Sequence, residues 1–413
     1  MDARYPNEWA VSRGSRFLNV LYGFPFDSSL FNTSDDGMPL IRIRDVISGT
    51  TSTTYGGTYQ AQYVVHHGDV LIGMDGDFNM AAWKSSDALL NQRVCLVRDS
   101  QIALARYLLY ALPFKLKTIH DEQDSTTVTH LSAYDLNKLT LNLPPIKEQR
   151  AIIMALDEST TRYDVAISTL TSQLDVLRRY RASLIHEAVT KGLDPSVPMK
   201  PSGVEWIVDI PEGWATIKIR YISTSRNGLD YTGEDLCSDE DDCAVLVIRA
   251  ANITEQGSLA LKDNVYVNMS IDPKLMVRRG DIAIVRTNGS RRLVGKSALI
   301  MDDLRATVGG FMLLCRSPYS RYLYWLLHSN LLGYYMGQFD SSTVSQLPHR
   351  VFENMMVPFC PDAHERDAIC DYLDSKCLVI DRAIDLKKRQ LDVLKRRRQS
   401  LIYEYVTGKR RVK

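Results

Sequence analysis

The stretch DIAIVRTNGSRRLVGK, residues 281–296, runs from an apolar, strand-like segment into Arg286, Arg291, Arg292 and Lys296, set among Thr287, Asn288 and Ser290. These side chains suit nucleic acid: Arg bridges O6 and N7 of guanine, Asn pairs with adenine, and surplus cations neutralise phosphates. They equally suit a solvated basic turn. The matching earlier segment, MDGDFNMAAWK (74–84), is less basic and offers Asp77, Phe78, Asn79, Trp83 and Lys84. Different chemistry at the same place implies a different target. DSTTVTHL and DSSTVSQL add Thr126, Thr127 and His130 in one half, and Ser342, Thr343 and Gln346 in the other. These are donors to phosphate or base edges, or parts of an Asp- and Thr-capped turn. Arg42 and Arg44 in LIRIRDV and Arg249 in VIRAANI read as arginines on an early strand, either touching phosphate or serving the fold.

Catalytic constellations fail on spacing. GSRRLVGKS places five residues rather than four between Gly289 and Gly295, and the apolar run ALIM follows instead of a helix, so it is not a phosphate loop. NLPPI (142–146) carries an inserted Leu143, lacks the aromatic of an Asn-Pro-Pro-aromatic methyltransferase motif, and reads as the lead-in to a helix. His66 and His67 have no further ligand at metal spacing, and DEDD (239–242) reads as a solvated acidic loop. No nucleophile, base and orienting group assemble, which points to a non-catalytic recognition chain.

The chain has 413 residues, 45% of them hydrophobic and 24% charged, which bounds it to two or three folded domains. A net charge of +1 confines any nucleic-acid binding to local clusters. The seven scattered cysteines form no Cys-x-x-Cys pair and read as reduced thiols. The N-terminus has no apolar signal core, and YLYWLLHSNLLGYYMG is broken by His328, Ser329 and Asn330 before it reaches spanning length. A cytoplasmic protein without a membrane segment is the expectation.

These segments must be positioned by a duplicated frame. QLDVLRRYRASLI (173–185) returns 217 residues later as QLDVLKRRRQSLI, and the 43 positions 148–190 hold 21 identities at that offset. Gly68-Asp69 pairs with Gly280-Asp281, and PNEW (6–9) with PEGW (211–214), in the same order. The reading is two mixed globules, 1–145 and 211–361, each followed by a long helix, 146–190 and 362–407. A linker (191–210) lies between the halves and a basic tail (408–413) ends the chain.

Apolar residues recur at 4,3 spacing through Tyr163, Ile167, Leu170, Leu174, Leu177, Leu184 and Ala188, interrupted by Arg181. The second copy runs through Ile380, Ile384, Leu391, Leu394, Leu401 and Tyr405, with Lys387 in place of a leucine and Arg398 interrupting where Arg181 does. A helix of this length rises about 65 Å and cannot be buried in one domain. It needs a partner, and its twin is the obvious one. A Pro- and Gly-punctuated linker delivers the chain to the second globule, so the second helix returns antiparallel. The fold class is α+β: two mixed α/β globules separated by two long antiparallel coiled-coil helices in a pseudo-two-fold repeat, the helices acting as a ruler.

LPPIKEQRAI, then QLDVLRRYRASLIHEAVTKGLDPSVPMKPSGVEW, then IPEGW resemble the central conserved region of specificity subunits of Type I restriction-modification systems. The resemblance spans essentially the whole chain and implies two target-recognition domains that read a bipartite site in double-stranded DNA. It also implies partners: two adenine methyltransferase subunits using S-adenosylmethionine, and restriction (translocase-nuclease) subunits using ATP and Mg, with no cofactor in this chain. The second helical lead-in departs from the pattern, reading CPDAHERDAI against PPIKEQRAI. The alternative is a protein-interaction scaffold with two binding heads on a coiled-coil rod.

Overall fold

The computed structural model describes residues 5–34, 36–122, 129–337 and 345–412. Two compact units emerge: 1–169 with 390–413, and 170–389. The division falls inside both long helices, Ile146–Lys191 and Ala363–Val406, so each unit holds one head and a segment of each helix.

The heads share one plan. In the first unit an antiparallel sheet is ordered Asn19–Tyr22, Val94–Arg98, Val70–Gly73, Met80–Ala82; in the second it is ordered Thr224–Asn227, Met312–Arg316, Ile282–Val285, Ser297–Leu299. Beside it lies a second sheet containing one parallel pair, Leu40 opposite Leu89 in the first head and Val247 opposite Thr307 in the second. The central strands VLIG and IAIV are buried throughout, as unbroken apolar runs covered on both faces should be. Gly23 and Gly228 sit where a Cβ would lie 2.0 Å from the Asn91 carbonyl oxygen and 2.1 Å from that of Gly309, so only glycine allows the close approach in either head.

Each head is fastened to its long helix by two contacts at equivalent positions, and a third contact joins the two helices. At the start of the first helix Trp9 Nε1 donates to Glu148 at 3.1 Å; at the start of the second, Trp214 Nε1 donates to Glu365 at 3.2 Å. A left-handed glycine just past the end of the other long helix packs against each tryptophan. A Cβ on Gly408 would lie 3.5 Å from Trp9, and one on Gly192 would lie 3.5 Å from Trp214. Two turns further along, Asp157 takes Arg106 at 3.1 Å and the Tyr110 hydroxyl, while Asp374 takes Arg321 and the Trp325 indole at 2.9 Å.

The third contact answers the arginine that interrupts the seam. Arg398 donates to Asp164 at 2.8 and 3.1 Å within the first unit. In the second unit Arg181 approaches Asp381 at 2.9 Å through Nε, and its Nη2 donates to the other carboxylate oxygen at 3.2 Å. These are the same pair at the repeat offset, and each joins the two long helices running antiparallel. None of the apolar residues read as the seam is exposed: Leu174, Leu184 and Ile384 are buried, and Ile167, Leu170, Leu177, Leu391, Leu394 and Leu401 are half-buried. Lys387, standing where the first helix has Leu170, donates to Gln173 at 2.7 Å and so keeps its charge hydrated at the rim.

Burial separates the two ion pairs. The side chains of Arg181 and Asp381 are 12% and 20% exposed, those of Arg398 and Asp164 33% and 56%. Burial pushes the Asp381 carboxyl above the usual range, against the pull of Arg181. Asp381→Ala is therefore expected to cost about 3 kcal/mol by stranding a buried guanidinium, and Asp164→Ala under about 1 kcal/mol. Denaturant unfolding of the two variants checks the difference.

Candidate nucleic-acid interface

In the second head the hairpin that follows strand Ile282–Val285 gathers most of the basic residues read from the sequence. Strand Thr287–Asn288 pairs with Ser345–Gln346, which sets Gln346 opposite Thr287. Asn288 does not present its amide oxygen outward; that oxygen accepts from the Ser290 backbone at 2.9 Å and turns the chain. Beyond the turn, Ser290, Arg291 and Arg292 are exposed, and Arg292 is 86% exposed with Glu255 4.0 Å away. Gln346 is exposed as well. Ser290, Arg291, Arg292 and Gln346 thus lie on the surface.

Arg286 is placed otherwise. Its Nη2 donates to the Gly310 carbonyl at 3.1 Å, its own carbonyl accepts from Leu347, and its Nε is buried without a hydrogen-bond partner. Lys296 reaches back to the Ala250 carbonyl at 3.4 Å, and burial lowers its pKa. Both brace the hairpin rather than project from it.

The equivalent segment of the first head is built differently. Phe78 and Trp83 are core residues at 2% and 1% exposure, so neither is open to stack on a base. Asp77, Asn79 and Lys84 are exposed. Lys84 lays its stem over Gly49, where a Cβ would lie 2.8 Å from Lys84 Cγ. Sequence reasoning missed Asp75, which takes His130 Nδ1 at 2.6 Å and Arg93 at 3.3 Å and so closes the loop on a carboxylate. Nothing in the sequence marks Asp75, rather than its neighbour Asp77, as the partner of a histidine 55 residues away. Thr126, Thr127, Ser342 and Thr343 lie outside the described residues.

The three arginines read on early strands stand just past them. Strand Met38–Ile41 ends before Arg42 and Arg44, and strand Val245–Ile248 ends before Arg249, because Asp45 and Asn252 take the Arg42 and Arg249 backbone N–H groups and turn the chain. Arg42 and Arg44 are exposed. The Arg249 guanidinium is spent on the Asp263 carbonyl, which makes it a structural arginine.

Lys84 and Lys296 each line a cleft beside their own unit's seam arginine. The first cleft, about 860 Å³, includes Lys84, Arg106, Lys395 and Arg398. The second, about 440 Å³, includes Arg178, Arg181, Arg292 and Lys296. Among the described residues no cluster of His, Cys, Asp and Glu could hold a metal ion, and no helix is long and apolar enough to cross a membrane.

Residues 6–169 match the family described as Type I restriction modification DNA specificity domain. The chain is 32% identical over 314 residues to the Type I restriction enzyme EcoBI specificity subunit of Escherichia coli, a match covering 73% of this chain and 64% of that protein. The chain thus resembles Type I specificity subunits in both comparisons. The MjaVIII specificity subunit of Methanocaldococcus jannaschii is 22% identical over 99% of this chain and 95% of its own length. A chain solved in work on complex assembly and conformational transition of the type I R-M system has the same fold, with a TM-score of 0.62 at 15% identity and 98% of both chains covered. The chain's match to the EcoBI subunit therefore spans just under two thirds of that relative.

His328 lies on the floor of the second cleft. Burial, reinforced by the Arg181 charge, pushes its pKa down to about 3, and the neutral ring sits 3.2 Å from the Ser297 carbonyl. A pKa depressed on folding adds stability that is complete above about 6.5, the unfolded value, and is lost as pH falls towards 3. His328→Gln is expected to flatten the acid loss of stability between pH 6.5 and 3, by at most roughly 5 kcal/mol. Denaturant midpoints measured across that pH range check it.

Proposed function

We propose that the chain reads a bipartite double-stranded DNA site, one half with each head, and directs methyltransferase and restriction subunits to it without catalysing a reaction itself. One observation carries this reading: two heads of one plan, fastened to their helices by contacts at equivalent positions, present different chemistry at the equivalent hairpin. A shared scaffold with divergent tips is what reading two different half-sites requires. The exposed Arg291, Arg292 and Gln346 of the second head suit a groove edge, and Asn79 and Lys84 supply the less cationic surface of the first. Two methyltransferase subunits with S-adenosylmethionine, and restriction subunits with ATP and Mg, would bring the chemistry; this chain would supply the address.

The test is binding of the purified chain to duplexes carrying its methylated site, followed across salt concentration. Specific retention that weakens steeply with salt is expected, with no methyl transfer by the chain alone. Arg291→Ala with Arg292→Ala should cost about 1–3 kcal/mol for a base-reading arginine and relax one half-site. If these side chains touch only phosphates, all sequences should weaken alike. Normal binding and an unchanged methylated motif would exclude this hairpin as the reader.

A further inference from the structure

Both heads turn the chain in the same way before strands Val94–Arg98 and Met312–Arg316. In the first head the Val94 N–H donates to the Asn91 carbonyl at 2.9 Å, and in the second the Met312 N–H donates to the Gly309 carbonyl at 2.8 Å. The third residue of this turn is Arg93 in one head and Phe311 in the other. Its carbonyl accepts from the residue that follows the central strand, Met74 at 2.9 Å or Arg286 at 2.8 Å. That residue's own carbonyl accepts in turn from Leu131 or Leu347, at 2.7 Å in each head. The next residues along, Asp75 with His130 and Thr287 with Gln346, are bridge partners. One main-chain junction thus carries different side chains at matched places: Asp75, Arg93 and His130 in the first head, and Thr287, Phe311 and Gln346 in the second.

In the first head the three side chains meet, Asp75 taking His130 at 2.6 Å and Arg93 at 3.3 Å. The second head fills the same places without an acid. Thr287 Oγ1 is buried, Gln346 is exposed, and Phe311 is 70% exposed although the adjoining Met312 is at 1%. The backbone of Phe311 is pinned. Its carbonyl accepts from both the Arg286 and the Thr287 N–H groups, at 2.8 and 3.1 Å, and Gly310 packs so closely that a Cβ would lie 2.1 Å from Asp230 Oδ1. A lone exposed apolar side chain is common on protein surfaces. This one is fixed in the frame where the sister head sets an ion-paired arginine, and the hairpin beside it carries the exposed Arg291 and Arg292. The core of a protein–protein contact calls for a wider apolar patch. A DNA major groove instead offers one isolated apolar group, the C5-methyl of thymine, among hydrogen-bonding edges and phosphates.

We infer that Phe311 is a specificity-determining residue of the second head and that it reads a thymine through the C5-methyl group. The inference rests on the DNA-reading function proposed above. Phe311 and Gln346 each lie one strand spacing from residues 286 and 287, so their main chains stand within about two such spacings, roughly 10 Å. That distance spans about three base-pair steps of roughly 3.4 Å. The thymine therefore lies close to the base edge that Gln346 meets, within the same half-site. The first head, with Arg93 held by Asp75 at the matched place, has no ring there.

The full chain is titrated against duplexes of its methylated site in which each thymidine is replaced in turn by deoxyuridine, which removes only the C5-methyl group. At one position the replacement is expected to weaken binding by the unaltered chain about four-fold, as loss of one buried methyl-sized group should. Phe311→Ala should bind the unmodified duplex at least that much more weakly and should no longer distinguish uracil from thymine at that position, while every other replacement acts as it does on the unaltered chain. Those unchanged responses also show that the variant is folded. Phe311→Leu, which keeps an apolar side chain, should retain the discrimination. Uracil penalties that all persist in Phe311→Ala, or equal binding of uracil and thymine by the unaltered chain at every position, overturn the thymine contact and leave the two-headed reading of DNA standing. So does a Phe311→Ala loss of the same size on every duplex with the uracil penalties intact, the mark of a ring wedged between base pairs. An unaltered chain that binds its own site no better than an unrelated duplex overturns the two-headed reading as well.

Discussion

A helix of 46 residues has one apolar side and no means of covering it alone, and the rest of the molecule answers that constraint. A twin running antiparallel covers the seam, but two arginines stand in it and each demands an acid. Asp381 meets Arg181 and Asp164 meets Arg398, at positions that the duplication itself supplies. The pairs fix register as well as charge, because sliding one helix by a turn would part both guanidiniums from their carboxylates while leaving apolar side chains in contact. Apolar packing alone forgives such a slip. The buried pair of Arg181 with Asp381 does not.

Once the seam is fixed, the heads have few degrees of freedom. Each is held at the start of a long helix by an indole on a glutamate and, two turns on, by an arginine with an aromatic donor on an aspartate. The glycine beyond the other helix's end packs against that tryptophan. A head can therefore change at its far hairpins without disturbing its attachment, and the two heads have done so. One hairpin is closed by Asp75 on His130 and Arg93; the other projects Arg291 and Arg292.

Much of this was legible in the sequence, because a repeat at constant offset states that whatever one half does the other does too. The seam followed from 4,3 spacing, the lead-in of each helix from its prolines, and the matching of PNEW with PEGW anticipated the twin tryptophan contacts. Individual polar side chains were less legible. Arg249, Arg286 and Lys296 have the chemistry of ligand-binding residues, yet they serve carbonyls at 263, 310 and 250. Those acceptors are local in space and remote or unremarkable in sequence. Phe78 and Trp83 failed as surface residues for the converse reason: a short loop with a left-handed residue, φ 49° at Phe78, folds its aromatics inward.

The three carboxylates that each half devotes to fastening, at 148, 157 and 164 and again at 365, 374 and 381, behave as a socket with a fixed pin layout. Four of the six receive side chains that belong to a head, and the head need match only those pins. Any globule bringing a tryptophan near its own start, and an arginine four residues ahead of an aromatic donor on one short helix, would seat without alteration of the rod. Selection for a new target can then act on whole heads as exchangeable parts, and a recombination event that replaces one would yield a working protein in a single step.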